Sequence, residues 1–348
     1  MYRYYDLYKH LLTKIQEGNY APGEKLPTES QLTTWGYSRS TVRRALSELA
    51  TQGYIQTRRG SGSVVNALPT EKKQSKQIAL SFCTFDTYIF PELLKGITDE
   101  LAGKYAALLF ANNYKIEEEQ RILQELLNLD IEGVIVQAFG TALPNPNLHL
   151  YQQLIDKGVS VVFLYAPYPS LTGFTCVAND DIQGGKLCVS HLYSAGRRKI
   201  SGIFNIDSLQ MHHRYEGFIT ECKKLNIELN SERTLWLQSH EMSESVNTKQ
   251  KILSVTKDCD ALVCSSDYVA IIAVKVLLDS GIRVPEDIAI ISFDNSLYSE
   301  LSPVPLTSLE GKPYVVGNIA AKKIINILSD KPETSVEIPW ELVKRQSG

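Results

Sequence analysis

Apolar runs and helical patterns alternate along residues 77–348. Eight short apolar runs have the length and residue types of buried strands: Ile78–Cys83, Ala106–Ala111, Gly133–Phe139, Val159–Tyr165, Lys199–Asn205, Thr234–Leu237, Ala261–Ser265 and Ile288–Phe293. Segments with helical spacing separate them: Pro91–Lys104, Glu117–Leu129, Leu150–Lys157, Asp181–Ala195, Arg214–Leu225, Val246–Thr256, Val269–Ser280 and Val315–Leu328. Such alternation predicts parallel sheets with helices on both faces. Eight strands exceed one small sheet, so we expect an α/β body of two lobes.

Residues 1–66 show a different pattern, in which three helices precede a hairpin. An apolar stripe predicts a helix over Tyr5–Glu17. Thr28 and Gln31 have capping-box spacing and predict a second, short helix, and Ser38 is a suitable N-cap for a third. Two short β-runs then flank a basic, Gly-rich tip. This order predicts a winged helix-turn-helix domain, joined to the body at 77–348 by a polar, aperiodic linker over 67–76.

The N-terminal segment is basic, although the chain carries a net charge of −3. Residues 1–76 hold 12 Lys and Arg against 6 Asp and Glu, and the remainder holds 24 against 33. A helix that follows a tight turn can enter the major groove of DNA, where Arg pairs bidentately with guanine, while hydroxyl groups and first-turn N–H groups suit phosphates. We predict a DNA-binding surface of Ser38, Arg39, Ser40, Thr41, Arg43 and Arg44 on the third helix, with Arg58, Arg59 and Gly60 on the wing.

A second candidate site lies at the ends of the predicted strands of the body. In open parallel sheets, ligands bind beyond the carboxyl ends of the strands. Carboxylates and Arg can bond several hydroxyl groups, and aromatic rings cover apolar C–H faces. This chemistry predicts a small polyhydroxylated ligand. The candidate residues are Tyr88, Phe90, Gln137, Tyr165, His212, Arg214, Asp267 and Asp294.

Composition narrows the class of protein. No apolar run reaches the roughly 18 residues that a membrane-spanning helix needs, and the first residues have no apolar signal-peptide core. The 6 cysteines form no C-x-x-C pair, which favours buried, reduced thiols. We therefore expect a cytoplasmic protein without a membrane partner, metal site or cofactor.

The N-terminal motifs resemble the GntR-type winged-helix domain. The resemblance lies in Pro22-Gly23-Glu24-Lys25-Leu26-Pro27-Thr28-Glu29, in Ser38-Arg39-Ser40-Thr41-Val42-Arg43-Arg44 and in Arg59-Gly60-Ser61-Gly62. It implies that Arg39 and Arg43 are the main DNA contacts, that Ser38, Ser40 and Thr41 hold the backbone, and that Arg59-Gly60 is the wing contact. Ser30 stands where some members carry a DNA-contacting Arg.

The body resembles the LacI/GalR-type regulatory domain. The most specific stretch is Val284-Pro285-Glu286-Asp287-Ile288-Ala289, which continues to Phe293-Asp294-Asn295 and Leu306-Thr307-Ser308-Leu309. The resemblance implies a two-lobed periplasmic-binding-protein-like fold in which Arg214, Asp267 and Asp294 bind sugar hydroxyls, while Asn179 and Asp180 lie near the lobe crossovers. The pairing of head and body is similar to the arabinose-responsive repressors, which implies L-arabinose as effector and Tyr88, Gln137 and Tyr165 as pocket residues.

The leading hypothesis is a homodimeric, allosteric repressor that L-arabinose releases from a palindromic operator. A dimer is expected because one small head reads too few base pairs. The alternatives are the same architecture with another pentose, a hexose or a nucleoside as effector, or an activator. A sugar-active enzyme is not expected, because no catalytic or phosphate-binding fingerprint occurs.

Overall fold

The chain divides into two units, Met1–Ser75 and Lys76–Gly348, here called the head and the body. A computed structural model describes residues 3–58, 62–66, 76–85, 88–239 and 245–348. The linker predicted over 67–76 lies outside the described residues except for its last position.

The head is a three-helix winged domain. Its helices are α1 (Arg3–Gln16), α2 (Glu29–Thr33) and α3 (Arg39–Thr51), and its antiparallel wing strands are β1 (Ile55–Arg58) and β2 (Gly62–Val65). Both predicted caps are confirmed, because Thr28 forms a capping box with Gln31 and Ser38 accepts from the N–H of Thr41. The core consists of apolar residues from all three helices and the wing: Leu7, Leu11, Ile15, Leu32, Val42, Leu46, Leu49, Ile55 and Val65.

The first lobe of the body, the N-lobe, is a parallel six-stranded sheet with helices on both faces. Its strands are β3 (Gln77–Phe82), β4 (Ala106–Ala111), β5 (Gly133–Gln137), β6 (Ser160–Leu164), β7 (Thr175–Asn179) and β13 (Val336–Ile338), in the order β13-β7-β6-β5-β3-β4. Its helices are α4 (Phe90–Leu101), α5 (Ile116–Leu126), α6 (Leu148–Asp156) and α12 (Pro313–Ile327). One face packs on α4 and α12 and the other on α5 and α6, so the sheet is buried on both sides.

The second lobe, the C-lobe, repeats this plan. Its strands are β8 (Ile200–Asn205), β9 (Thr234–Leu237), β10 (Ala261–Cys264), β11 (Ala289–Asp294), β12 (Thr307–Glu310) and β14 (Glu341–Val343), in the order β14-β12-β11-β10-β8-β9. Only β14 runs antiparallel to its neighbour among these described strands. The helices are α7 (Asp181–Ser194), α8 (Leu209–Lys224), α9 (Val246–Thr256), α10 (Asp267–Asp279) and α11 (Leu297–Leu301), with a 3₁₀ turn at Ser231–Arg233.

Three crossovers connect the lobes, and all lie at one side of the body. They follow β7, precede α12 and join β13 to β14. Helices α7 and α8 approach so closely that a Cβ on Gly217 would lie 1.9 Å from the carbonyl oxygen of Ile182. This contact fixes the helix that carries Arg214 into the interlobe region. No helix in the described ranges is long and apolar enough to cross a membrane.

The fold class is confirmed, whereas the predicted strand count is incomplete. Each of the eight predicted strands is present, with ends shifted by two residues or fewer. The structure adds β7, β12, β13 and β14 and the short helix α11. Strands β13 and β14 have three residues each, which is too few to display a period, so their pairing depends on tertiary contacts.

Candidate functional site

A cleft of about 910 Å³ lies between the two lobes, at the carboxyl ends of their strands. Six of the eight predicted effector residues line it: Tyr88, Phe90, Gln137, Tyr165, Arg214 and Asp294. The strand-end rule therefore brings together residues that are up to 206 positions apart in the chain. The other two predicted residues, His212 and Asp267, are not among the lining residues.

Arg214 is the electrostatic centre of the cleft. Its side chain is 2% exposed; Nε donates to Asp181 at 2.8 Å, one Nη to Asp294 at 3.3 Å and the other Nη to the carbonyl oxygen of Ser265. Burial alone would lower the pKa of Arg214, but Asp294 and Asp181 outweigh burial and raise it. Burial also raises the pKa of Asp181 to about 6, although the Arg214 cation opposes this shift. The guanidinium is thus held in one orientation by acceptors on separate elements.

Two aromatic rings pack against the guanidinium of Arg214. Its central carbon lies 4.3 Å from the centroid of Phe293 and 4.8 Å from that of Trp340. The two rings meet edge to face at 5.2 Å. Two cation–π contacts therefore stabilise the charged group in addition to its carboxylate partners.

Tyr88 connects the lobes across the cleft. It belongs to the N-lobe, and its hydroxyl donates to the Asp294 carboxylate of the C-lobe and accepts from the N–H of Asp267 at 3.3 Å. Its ring stacks on Tyr298 at 5.8 Å. Burial, and then the negative charge of Asp294, raises the pKa of Tyr88. The hydroxyl is consequently neutral and able to donate.

Positive φ angles concentrate at the cleft. Tyr88 has φ of 65°, Tyr165 of 66° and Asp294 of 99°, which are unfavourable for residues with a Cβ. Backbone strain of this kind is typical of functional sites. The Tyr165 hydroxyl is buried and has no hydrogen-bond partner within the described part of the chain, so it is available to a ligand.

Asp267 is a structural residue in this arrangement and does not line the cleft. It is fully buried and accepts from the hydroxyls of Ser292 at 2.5 Å and Ser308 at 2.7 Å, and from the N–H and hydroxyl of Ser296 at 2.6 and 2.9 Å. Burial, followed by the charge of Asp294, raises the pKa of Asp267 to about 6. Its oxygens are occupied by protein donors, and it fixes the turn that follows Asp294.

His212 also points away from the cleft. Its Nε2 lies 2.8 Å from the carbonyl oxygen of Ile206, and its ring packs edge to face on Trp236 at 5.2 Å. Two residues along α8 correspond to about 200° of rotation, so Arg214 lines the cleft and His212 does not. Gln137 and Phe90 lie where predicted, and the Gln137 amide oxygen accepts from the N–H of Cys83 at 3.2 Å.

The cleft contains residues that the sequence patterns did not identify. Trp340 lines it from the third crossover, and its Nε1 is buried without a partner among the residues described. Asn179, expected only near the crossovers, lines it and donates to the carbonyl oxygen of Gly311 at 3.0 Å. Asn113 and Tyr114 follow β4, so the strand-end rule could have found them. Trp340 has no such signal, because it stands between two three-residue strands.

A second contact joins the lobes near the start of α8. The Thr141 hydroxyl of the N-lobe accepts from the N–H of Leu209 at 2.9 Å, and the N–H of Ala142 donates to the carbonyl oxygen of Asp207 at 3.2 Å. Ser208, the N-cap residue of α8, makes no side-chain capping bond. Thr141 therefore supplies, from the opposite lobe, the acceptor that this helix end lacks.

The predicted DNA-binding residues of α3 form one exposed surface. Ser38, Arg39, Ser40, Arg43 and Arg44 are exposed, and Thr41 is half-buried. Arg43 Nε donates to Glu29 of α2 at 2.9 Å, and the Arg44 guanidinium lies 4.0 Å from the Tyr4 ring centroid. Both pairs are at the surface, where their charges remain available to DNA phosphates.

The wing hairpin is described only in part. Arg58 ends β1 and pairs with Gly62 across the hairpin. The predicted contacts Arg59 and Gly60 lie outside the described residues.

Sequence families match both units. Residues 3–65 match the gntR family of bacterial regulatory proteins, and residues 189–348 match the periplasmic binding protein-like domain. The chain is 31% identical over 335 residues to an arabinose metabolism transcriptional repressor of Geobacillus stearothermophilus, covering 94% of this chain and 92% of the relative. A protein of the same name from Halalkalibacterium halodurans is 30% identical, with 93% and 88% covered.

Solved structures share the fold. A transcriptional regulator CelR–cellobiose complex has a TM-score of 0.69 at 21% identity and covers 97% of this chain and 94% of its own. The transcription regulator CcpA of Lactococcus lactis has a TM-score of 0.70 at 20% identity and covers 78% and 99%. The head motifs, the two-lobed body and the full-length relatives agree: the chain belongs to the family of sugar-metabolism transcriptional repressors that join a GntR-type DNA-binding domain to a periplasmic-binding-protein-like domain.

Proposed function

We propose that this repressor is released from its operator when L-arabinose binds in the interlobe cleft. The observation that carries the proposal is the group formed by Arg214, Asp294, Tyr88 and Tyr165, whose hydroxyl has no partner among the described residues. The two relatives of about 30% identity are named arabinose metabolism transcriptional repressors, which favours L-arabinose over other polyols.

The chemistry of the cleft supports a neutral sugar. The Arg214 charge is already balanced by Asp181 and Asp294, so this guanidinium does not call for an anionic ligand. A carboxylate accepts from hydroxyl groups, whereas Tyr165 can both donate and accept. Phe139, Trp340 and Tyr298 line the same cleft and offer rings to apolar C–H faces.

We propose double-stranded operator DNA as the partner of the head, with Arg39 and Arg43 reading base edges. Ser38, Ser40, Thr41 and Arg44 would contact phosphates, and Arg58, Arg59 and Gly60 would form the wing contact. The exposed positions on α3 support this assignment.

We further propose that the protein acts as a homodimer on a palindrome. Two heads are needed to read a site of useful length. In the body, α11 exposes Leu297 and Leu301, four positions apart on one helix face and 66% exposed each. A second copy of the chain would cover this apolar pair in a self-complementary interface.

Release by sugar follows from differential binding to two lobe arrangements. A sugar that touches Asp294 of the C-lobe and Tyr165 of the N-lobe favours the closed arrangement, because only there does it meet both. Coupling between sugar and DNA is reciprocal, so operator DNA must weaken sugar binding by the same factor. A repressor in the proposed sense carries out no catalysis on the sugar.

The experiment measures operator binding by fluorescence anisotropy during titration with L-arabinose, D-ribose, D-xylose, D-galactose and adenosine. The DNA is a duplex that the protein itself selects from a random library. L-Arabinose is expected to release it, and Asp294→Asn should weaken that response, whereas Asp279→Asn, at an exposed carboxylate on α10, should not. Release by another ligand alone, or tighter DNA binding with sugar, contradicts the proposed effector or the proposed sense of regulation.

A further inference from the structure

The cleft is larger than one pentose requires. A pentose has about ten non-hydrogen atoms, and even at the ~30 Å³ that each water occupies in the liquid it would fill about 300 Å³. The cleft measures about 910 Å³, near the upper end of the roughly 300–1,000 Å³ typical of ligand sites. With one pentose bound, about two-thirds of the cleft volume would therefore remain for water or for a further part of the ligand.

The residues that line the cleft extend to its end remote from the crossovers. Strands β4 and β9 are the edge strands farthest from the crossover side in their two sheets. Asn113, Tyr114 and Lys115 follow β4, while Gln210 and Met211 begin α8 beside β9. Leu143 follows β5 and also lines the cleft. We call these six residues the outer subsite.

The outer subsite combines exposed apolar groups with free polar groups. Tyr114 is 52% exposed and Leu143 is 54% exposed, although both line the cleft. The side chains of Asn113, Lys115 and Gln210 make no hydrogen bond or ion pair within the described ranges. A sugar ring presents apolar C–H faces and polar hydroxyl groups. The apolar side chains suit the first, and the donors and acceptors without a partner among these described residues suit the second.

The backbone at Tyr114 has an unfavourable conformation. Asn113 and Tyr114 have φ of 53° and 59° in succession. Asn112 is buried, and its side-chain oxygen accepts from the N–H of Tyr114 at 2.9 Å, while the N–H of Asn113 donates to the carbonyl oxygen of Cys83 at 3.0 Å. These bonds stabilise a backbone conformation that tyrosine would otherwise avoid, at a residue that lines the cleft.

We propose that the outer subsite binds a second sugar ring, joined to the first by a glycosidic bond. The effector class then includes disaccharides that carry L-arabinose at one end. This inference rests on the proposed function, since the first ring occupies the part of the cleft around Arg214 and Asp294. It goes beyond that function because it assigns a role to Tyr114 and its neighbours, which are not part of the site proposed for L-arabinose.

The test compares L-arabinose with α-1,5-linked L-arabinobiose by isothermal titration calorimetry on the full chain. The disaccharide should bind on the order of tenfold more tightly, and Tyr114→Ala should remove that gain while changing the affinity for L-arabinose less than twofold. Leu143→Ser is a second variant with the same expectation. Tyr314→Ala is the control, because Tyr314 is exposed, bonds Asp99 and does not line the cleft.

Each outcome separates the inference from the proposed function. Tighter disaccharide binding that depends on Tyr114 supports the subsite. Binding of L-arabinose alone, or disaccharide binding indifferent to Tyr114 and Leu143, overturns it while leaving the proposed function intact. Failure of both sugars to bind overturns the proposed effector and the subsite with it.

Discussion

Replacement of Arg214 by Met tests whether this guanidinium is the counter-ion that the cleft requires. Met preserves the unbranched stem and the helical propensity of the position in α8. It removes the donors to Asp181, Asp294 and the carbonyl oxygen of Ser265. The side chains of Arg214 and Asp181 are each 2% exposed, so water cannot replace the lost donors without local opening.

The magnitude follows from burial. Removing one partner of a buried ion pair costs about 3–5 kcal/mol, because the remaining charge is left without compensation. We therefore expect the free energy of unfolding of the body to fall by about that amount. Urea denaturation followed by tryptophan fluorescence measures it, in a Trp35→Phe background that leaves Trp236 and Trp340 as reporters in the body. Arg121→Met, at an exposed ion pair on α5, is the control and should leave the midpoint unchanged.

The pH dependence provides a second, independent signature. The pKa of Asp181 is about 6 with Arg214 present, and loss of the cation raises it further. A carboxyl whose folded pKa exceeds its unfolded value binds protons preferentially in the native state, so its stabilising contribution disappears as pH rises through the folded pKa. Between pH 6 and 8 the variant should lose up to about 1.4 kcal/mol per pH unit relative to the parent. A loss below about 1 kcal/mol, or parallel pH profiles, would refute this electrostatic account.

Two further predictions concern DNA binding and the support of the cleft. Arg43→Ala should weaken operator binding on the order of tenfold or more while sugar affinity is retained, and a gel shift with unchanged operator affinity would remove α3 from the interface. Asp267→Asn should destabilise the body by about 1–3 kcal/mol, because an amide N–H₂ then faces hydroxyl and N–H donors from Ser292, Ser296 and Ser308. Calorimetric melting measures this change, and an unaltered melting temperature would contradict the structural role of Asp267.

The parts of the fold that could be predicted from sequence are those with local signals. The capping box at Thr28 and the N-cap at Ser38 depend on residues three positions apart. The starts of two helices of the head could therefore be predicted from local sequence. Most long strands of the body are buried apolar runs, and the exposed edge strand β4 is also an apolar run, so both kinds are visible in the sequence. Strand β13 is different, because three residues acquire an extended conformation by pairing with β7, more than 150 positions away.

The candidate site was predicted only as far as the strand-end rule applies. Asp267 and Asp294 both follow a buried strand, and sequence alone could not distinguish them. The distinction depends on the serines at 292, 296 and 308, which converge on Asp267 and occupy its oxygens. His212 differs from Arg214 only by its rotation about the α8 axis, which a helix boundary predicted at Arg214 could not reveal.

Helix α8 connects the ligand site to lobe closure through two of its residues. The N–H of Leu209 at its start is bonded by Thr141 of the opposite lobe, and Arg214 less than two turns later holds Asp294, which Tyr88 reaches from that same lobe. Opening the lobes would break both interlobe contacts and leave the N–H of Leu209 and the Asp294 carboxylate to exchange these partners for water. A ligand that bridges Asp294 and the N-lobe would stabilise the closed arrangement relative to the open one. In the proposed mechanism, the extent of closure therefore depends on how well the ligand satisfies these groups.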